Sequence, residues 1–411
     1  MARDGIRIFD ADTHIIEPVE PIEAYLSSAD RARLAALGPL VQRAPAKAGM
    51  SRYVIGKRPR LDRKLGSLER VDPPTGAARG ARDGGTPWDV RWQGPPFPSE
   101  RVSVDPHARV RDMDVEGIDV NMILPSGGVP GFAGLEDVAL ESAMYQAYNR
   151  FLADYCAPYP DRLTGVMLVS GRDPAAAVAE IRRCSREDWP VAIFPICAPA
   201  MSLDEPAWEP IWAEAQEHDL TVVIHSFTMT IPYPPGVWDT WDNVFLQRAA
   251  GHVWNAQRNL AALIGAGVLD RYPRLRLTSL ECGHGWLPSW AARLDELAEM
   301  SRHVLPALKQ RPSDYIRGPQ YFQSIQIYEG EQSLRHAFEA LGEDTLMFAT
   351  DYPHSESWFP KSAEIVLGWK TLGDAARRRL LWDNAVRCYR RYAGRAAVAV
   401  MAAPGAGAAA I

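Results

Sequence analysis

Asp10-Ala11-Asp12-Thr13-His14-Ile15-Ile16-Glu17-Pro18 is the stretch against which the rest of the 411 residues is read. The residues ahead of it, Gly5 to Phe9, lean apolar and read as a short buried strand running into it. Side chains alternate along a strand, so Asp12 and His14 point to one side. Glu17 follows where the strand has ended. A carboxylate, an imidazole and a second carboxylate at the end of one buried strand form half a site for a divalent metal. The plain alternative is a solvated acidic turn that caps a helix.

Moving outward, apolar runs alternate with amphipathic ones. Strands are expected at Val120–Leu124, Thr164–Val169, Val191–Phe194, Leu220–Ile224, Leu275–Leu280, Phe322–Tyr328 and Leu346–Ala349. Helices are expected between them, among them Asp105–Glu116, Leu135–Tyr155, Pro174–Cys184, Glu205–Glu217, Trp241–Ala266, Trp286–Met300, Gln332–Leu341 and Ala375–Tyr392. About eight strand–helix units predict a distorted (β/α)8 TIM barrel, an α/β fold whose chemistry sits at the C-terminal strand ends. The polar residues at those ends are Asp12, His14, His225, Glu281 and Asp351. The plain alternative for His225, taken alone, is a satisfied core histidine. A buried Asp351, however, needs a partner, and a cation shared by Asp12, His14, His225 and Asp351 supplies one.

The single barrel domain is expected over residues 1–394, with a loop-rich, Arg-, Gly- and Pro-rich insertion at about 40–107 and a disordered Ala/Gly-rich tail over 395–411. The insertion carries Trp88, Trp92 and Phe97 and reads as a lid or an interface arm. Hydrophobic residues make up 47% and charged residues 23%, enough apolar content for a large core. A net charge of -6 argues against nucleic acid or anionic membrane as a partner. No apolar run reaches the roughly 18 residues of a membrane span. Five scattered cysteines without a CxxC pair predict a reducing, cytoplasmic setting and no thiolate metal site.

The ordered set of motifs resembles the amidohydrolase-related family, in its decarboxylase-like branch. The set comprises the opening stretch, Val222-Val223-Ile224-His225, Gly267-Val268-Leu269-Asp270-Arg271-Tyr272-Pro273, Thr350-Asp351-Tyr352-Pro353-His354 and Asp383-Asn384-Ala385. The resemblance implies a TIM barrel with a metal at its mouth, held by Asp12, His14, His225 and Asp351. Decarboxylases of the family resemble a Gly-His-x-Gly-Glu pattern after the sixth barrel strand, and here Cys282 takes the His position. The bridging lysine of many related hydrolases is also missing from Val191-Ala192-Ile193-Phe194-Pro195-Ile196-Cys197.

Glu17, His252 and His284 are the additions. Each has a plain reading: a helix cap or ion pair, a packed helix histidine, an exposed loop residue. Together with the first four they would suffice for a second metal. In its opening Asp-x-Asp-x-His-x-x-Glu-Pro and in Asp351-Tyr352-Pro353-His354-Ser355-Glu356-Ser357, in place of the usual decarboxylase ending, the chain looks most like the dinuclear non-heme iron monooxygenases of the family, such as the one in platensimycin biosynthesis. The expectation is a cytoplasmic oxidoreductase of natural-product biosynthesis that uses two Fe ions (or Mn or Zn) and O2 to hydroxylate an apolar, carboxylated or terpenoid-type small molecule. Its partners would be an electron donor and a second copy in a homodimer. Glu281 and His354 would act as catalytic groups. Phe227, Tyr233, Trp238, Trp241, Trp286 and Trp358 would line the pocket. The alternatives are a mononuclear metal-dependent hydrolase or non-oxidative decarboxylase, and a silent barrel that only binds.

Overall fold

The computed structural model describes residues 5–55, 98–198, 201–227, 235–237, 240–241, 244–354 and 356–394. The expectations for Trp88, Trp92, Phe97, Tyr233, Trp238 and the 395–411 tail lie outside the described residues. Ten strands follow in chain order: β1 (Phe9–Ile15), β2 (Val41–Pro45), β3 (Ser51–Ile55), β4 (Val120–Pro125), β5 (Leu163–Ser170), β6 (Pro190–Ile196), β7 (Thr221–Ile224), β8 (Arg276–Ser279), β9 (Tyr321–Ser324) and β10 (Leu346–Met347). Eight of them form one parallel sheet in the order β1-β4-β5-β6-β7-β8-β9-β10.

The sheet is nearly closed on itself. Ala11 N–H donates to the Phe348 carbonyl at 3.0 Å and Asp351 N–H to the Asp12 carbonyl at 2.9 Å. Asp10 completes the seam by accepting from Thr350 N–H at 3.0 Å and from its hydroxyl at 2.6 Å. The result is the distorted (β/α)8 barrel expected from the alternation of runs.

The elements form for local reasons. Every residue of β5 and β6 is buried, as strands must be when helices cover the sheet. Asp105, Asp137 and Asp173 cap the helices Pro106–Glu116, Val138–Cys156 and Pro174–Cys184 by accepting from the His107, Leu140 and Ala176 amides. Each such cap is worth about 1 kcal/mol.

Some boundaries differ from the sequence expectation. β1 runs through the opening motif rather than stopping before it, because pairing with β4 continues to Ile15. The stretch at 40–107 contains the antiparallel hairpin β2–β3, whose strands are half exposed and carry no clear apolar period. The expected strand Phe322–Tyr328 stops at Ser324 and passes into a short 3-10 turn. The expected helix Ala375–Tyr392 is broken by a π turn at Arg379–Asp383. No helix among the described residues is long and apolar enough to cross a membrane.

Candidate metal centre

β1 delivers Asp12 and His14 to the barrel interior, both fully buried. His14 Nδ1–H donates to the Pro125 carbonyl at 2.8 Å. A carbonyl only accepts, so the proton is on Nδ1 and the lone pair on Nε2. That Nε2 lies 3.2 Å from Asp12 Oδ1 and 3.3 Å from Asp351 Oδ1. His225 directly follows β7, and its ring centroid is 5.1 Å from that of His14. The segment after β10 brings in Asp351 and His354.

Two sets of donors lie close enough together to hold one ion: Asp12, His14 and His225, and His14, Glu281, Asp351 and His354. Both oxygens of Asp12, Nε2 of His14, Nδ1 of His225 and Oδ2 of Asp351 are buried without a hydrogen-bond partner. Leaving so many buried polar atoms unmatched would cost about 1–3 kcal/mol each. A divalent cation on four of these residues removes that cost. Ligand bonds of about 2.1 Å place neighbouring donors about 3–3.5 Å apart, as found here. The N and O donor set suits zinc, manganese or iron and does not choose among them.

Glu281 and Asp351 are held in left-handed backbone, at φ +50° and +62°. Outside glycine this conformation costs about 1 kcal/mol or more. It turns each carboxylate inward from a strand end. Burial pushes the Asp351 carboxyl well above the usual range, and the charges of Glu281 and Asp12 add to this. Burial acts on Glu281 in the same direction, but the imidazoles of His252 and His225 outweigh it and hold the carboxyl well below its usual value. Burial also lowers the His14 imidazole, yet the neighbouring Asp12 carboxylate leaves it raised.

His354 joins Asp351 to a serine. Its Nδ1 is 2.7 Å from Asp351 Oδ1 and its Nε2 is 2.9 Å from Ser126 Oγ. Ser126 spends its own proton on the Ile15 carbonyl at 2.8 Å, so His354 Nε2 is the donor to Ser126. One more proton must then lie between Nδ1 and Asp351. Ser126 escaped the sequence reading because a lone serine in a Gly-rich loop carries no pattern. Ser226, 3.2 Å from His252 Nδ1, escaped it likewise.

The three added residues have different fates. His252 lies beside the centre, with Nε2 3.4 Å from Glu281 Oε1. Glu17 is buried, but its carboxylate accepts from the backbone amides of Ser126, Gly127 and Val129 at 3.0–3.1 Å. It anchors the loop that carries Ser126. His284 Nδ1 lies 3.1 Å from Glu329 Oε2, which also accepts from the His284 and Gly285 amides. Gly283 makes this possible, since a Cβ there would overlap the Glu329 carboxylate. Neither Glu17 nor His284 belongs to either donor set. The wall beside His225 is aromatic, with Phe227 at 5.2 Å and Phe194 at 5.9 Å between ring centroids.

The amidohydrolase family model matches residues 10–391. Gamma-resorcylate decarboxylase of Polaromonas sp. is 26% identical over 304 residues, 69% of this chain and 86% of that relative. The 5-carboxyvanillate decarboxylase of Novosphingobium aromaticivorans, solved with bound manganese, has a TM-score of 0.64 at 21% identity and covers 94% of this chain and 98% of its own. An amidohydrolase from Mycobacterium avium subsp. paratuberculosis has a TM-score of 0.69 at 20% identity and covers 93% and 99%.

These relatives correct the expectation of an iron- and O2-dependent monooxygenase like that of platensimycin biosynthesis. The sequence matches are to decarboxylases, so the oxidoreductase, monooxygenase and iron readings fall. In the site itself the carboxylate of Glu17 accepts from backbone amides, His284 Nδ1 accepts from the Gln326 amide at 3.4 Å, and His284 Nε2 is buried without a hydrogen-bond partner.

Proposed function

The chain belongs to the amidohydrolase family, and on that premise we propose that it is a decarboxylase that uses one divalent metal ion to remove CO2 from a hydroxylated aromatic acid. The observation that carries this reading is that Asp12 and His225 form one donor set with His14, that Asp351 joins a second set through the same His14, and that all four have buried donor atoms that no protein group satisfies. The metal would be manganese or zinc. When bound it would supply positive charge to hold the acid's carboxylate and a neighbouring oxygen.

The protein's own groups do the rest. Phe194 and Phe227 present flat apolar surface beside His225 for an aryl ring. Asp351 and His354 share a proton on the path between Oδ1 and Nδ1. That proton is delivered to the ring carbon that bears the carboxylate. The carbon–carbon bond then breaks, its electron pair returns to the ring, and CO2 leaves. Burial and the charges of Glu281 and Asp12 keep the proton on the pair until a substrate takes it. Redox state does not change, so the reaction needs neither O2 nor an electron donor.

The test is direct. Purified protein loaded with Mn2+ is offered gamma-resorcylate, 5-carboxyvanillate and other hydroxybenzoates while CO2 release and O2 uptake are followed. One bound ion per chain and CO2 release without O2 uptake are expected. Oxygen uptake with two ions per chain, or no CO2 from any hydroxybenzoate, would overturn the reading.

A further inference from the structure

Both oxygens of Glu281 face imidazoles. Oε2 is 3.0 Å from His225 Nε2 and Oε1 is 3.4 Å from His252 Nε2. Behind His252, the Ser226 hydroxyl lies 3.2 Å from Nδ1. A carboxylate can only accept, so His225 carries its proton on Nε2 and its lone pair on Nδ1. That Nδ1 is buried and has no hydrogen-bond partner. The opposite tautomer would leave a buried N–H unmatched on one side and set two acceptors against each other on the other side.

We propose that Glu281 is a positioning residue for the metal. It fixes the tautomer and the plane of His225 so that Nδ1 is the ligand atom. His252, backed by Ser226, holds Glu281 in turn. The inference rests on the metal-dependent reading above and assigns that site its supporting groups. A carboxylate behind a ligating imidazole raises its basicity and fixes its direction, and its loss typically weakens metal binding 10–100-fold. The left-handed backbone at Glu281, φ +50°, agrees with a side chain aimed for a purpose, since the strain must be offset by the contacts it permits. The same carboxylate also comes within reach of His14, Asp351 and His354. A direct ligand role is therefore the competing assignment that the experiment has to separate.

Metal-free protein is titrated with Mn2+, and free ion is read from its paramagnetic resonance signal. Glu281→Gln should weaken binding by about 10–100-fold, and His252→Gln by a smaller factor, with circular dichroism of the metal-free proteins unchanged. Co2+-loaded wild type and Glu281→Gln should give the same absorption bands, because the ligand set is the same. Unchanged Mn2+ affinity in Glu281→Gln, or Co2+ bands showing a lost ligand, would overturn the proposal. Should Glu281→Gln fail to fold, His252→Gln decides, since it loosens Glu281 without touching a ligand, and wild-type affinity there would sink the idea. Asp12→Ala serves as the reference. If it too binds Mn2+ like wild type, the metal reading itself has failed; if it alone loses the ion, only the role of Glu281 has.

Discussion

His14 cannot turn its lone pair anywhere but inward, because the Pro125 carbonyl holds its other nitrogen. Asp12 has no hydrogen-bond partner for either carboxylate oxygen. Asp12→Ala should therefore reduce bound metal from about one ion per chain to near none, measured by elemental analysis after dialysis. Ser126 never approaches the candidate ligands directly, but it accepts from His354 and so sets which nitrogen faces Asp351. Ser126→Ala should leave metal content unchanged and lower kcat by roughly 10-fold or more, within the range general acids contribute, in steady-state assays of CO2 release. His252 carries a pH signature. Burial lowers its imidazole to about 4, from an ordinary 6.5. Between these values the unfolded chain binds a proton that the folded chain refuses. Its contribution to stability is thus complete above pH 6.5 and declines as pH falls toward 4. Urea unfolding of metal-free protein at pH 7 and pH 5 should show wild type losing up to about 2 kcal/mol more than His252→Gln, at 1.36 kcal/mol per pH unit.

At the scale of elements, strand ends do the positioning. β7 stops at Ile224 and β10 at Met347, and the next few residues are those that turn toward the centre. The loops behind them are tightly fitted. Gly171, just past β5, lies against the indole of Trp208, and a Cβ at that position would overlap several ring atoms. Trp208 is fully buried and stacked 5.4 Å from Trp212, so it has little room to yield. Gly171→Ala should cost about 1–3 kcal/mol, visible as a lower melting temperature with the metal-binding residues untouched. The helices Pro106–Glu116 and Pro174–Cys184 were legible in the sequence. The β2–β3 hairpin was not, because its half-exposed strands carry no clear alternation to read.

Across the whole molecule, the barrel seam and the candidate metal centre are one structure. Asp10 ties Thr350 across the seam, with Asp12 and Asp351 immediately inside it. Asp10→Ala would leave the Thr350 N–H and the Thr350 hydroxyl proton without an acceptor, while the hydroxyl oxygen keeps the Tyr352 amide. It should cost about 1–3 kcal/mol per group and loosen Mn2+ binding, both measurable by calorimetry. Conversely, metal should stabilise the entire fold. Saturation at about 1,000 times Kd adds about 4 kcal/mol by mass action, so chelation should lower the melting temperature.

By itself the sequence determined the barrel, through alternating runs of fixed period, and four of the groups gathered at its mouth. Asp12 and His14 share a face because strand geometry puts them there, and His225 and Asp351 each terminate an apolar run. Tertiary structure alone decided what Glu17 and His284 do. Their partners, the Ser126–Val129 amides and Glu329, lie far along the chain, and an acid or imidazole will bind whatever donor or acceptor folding brings nearest. The same holds for Glu281: its spacing marked it as a strand-end acid, but only the packing of two helically and strand-borne histidines around it gave that acid a task.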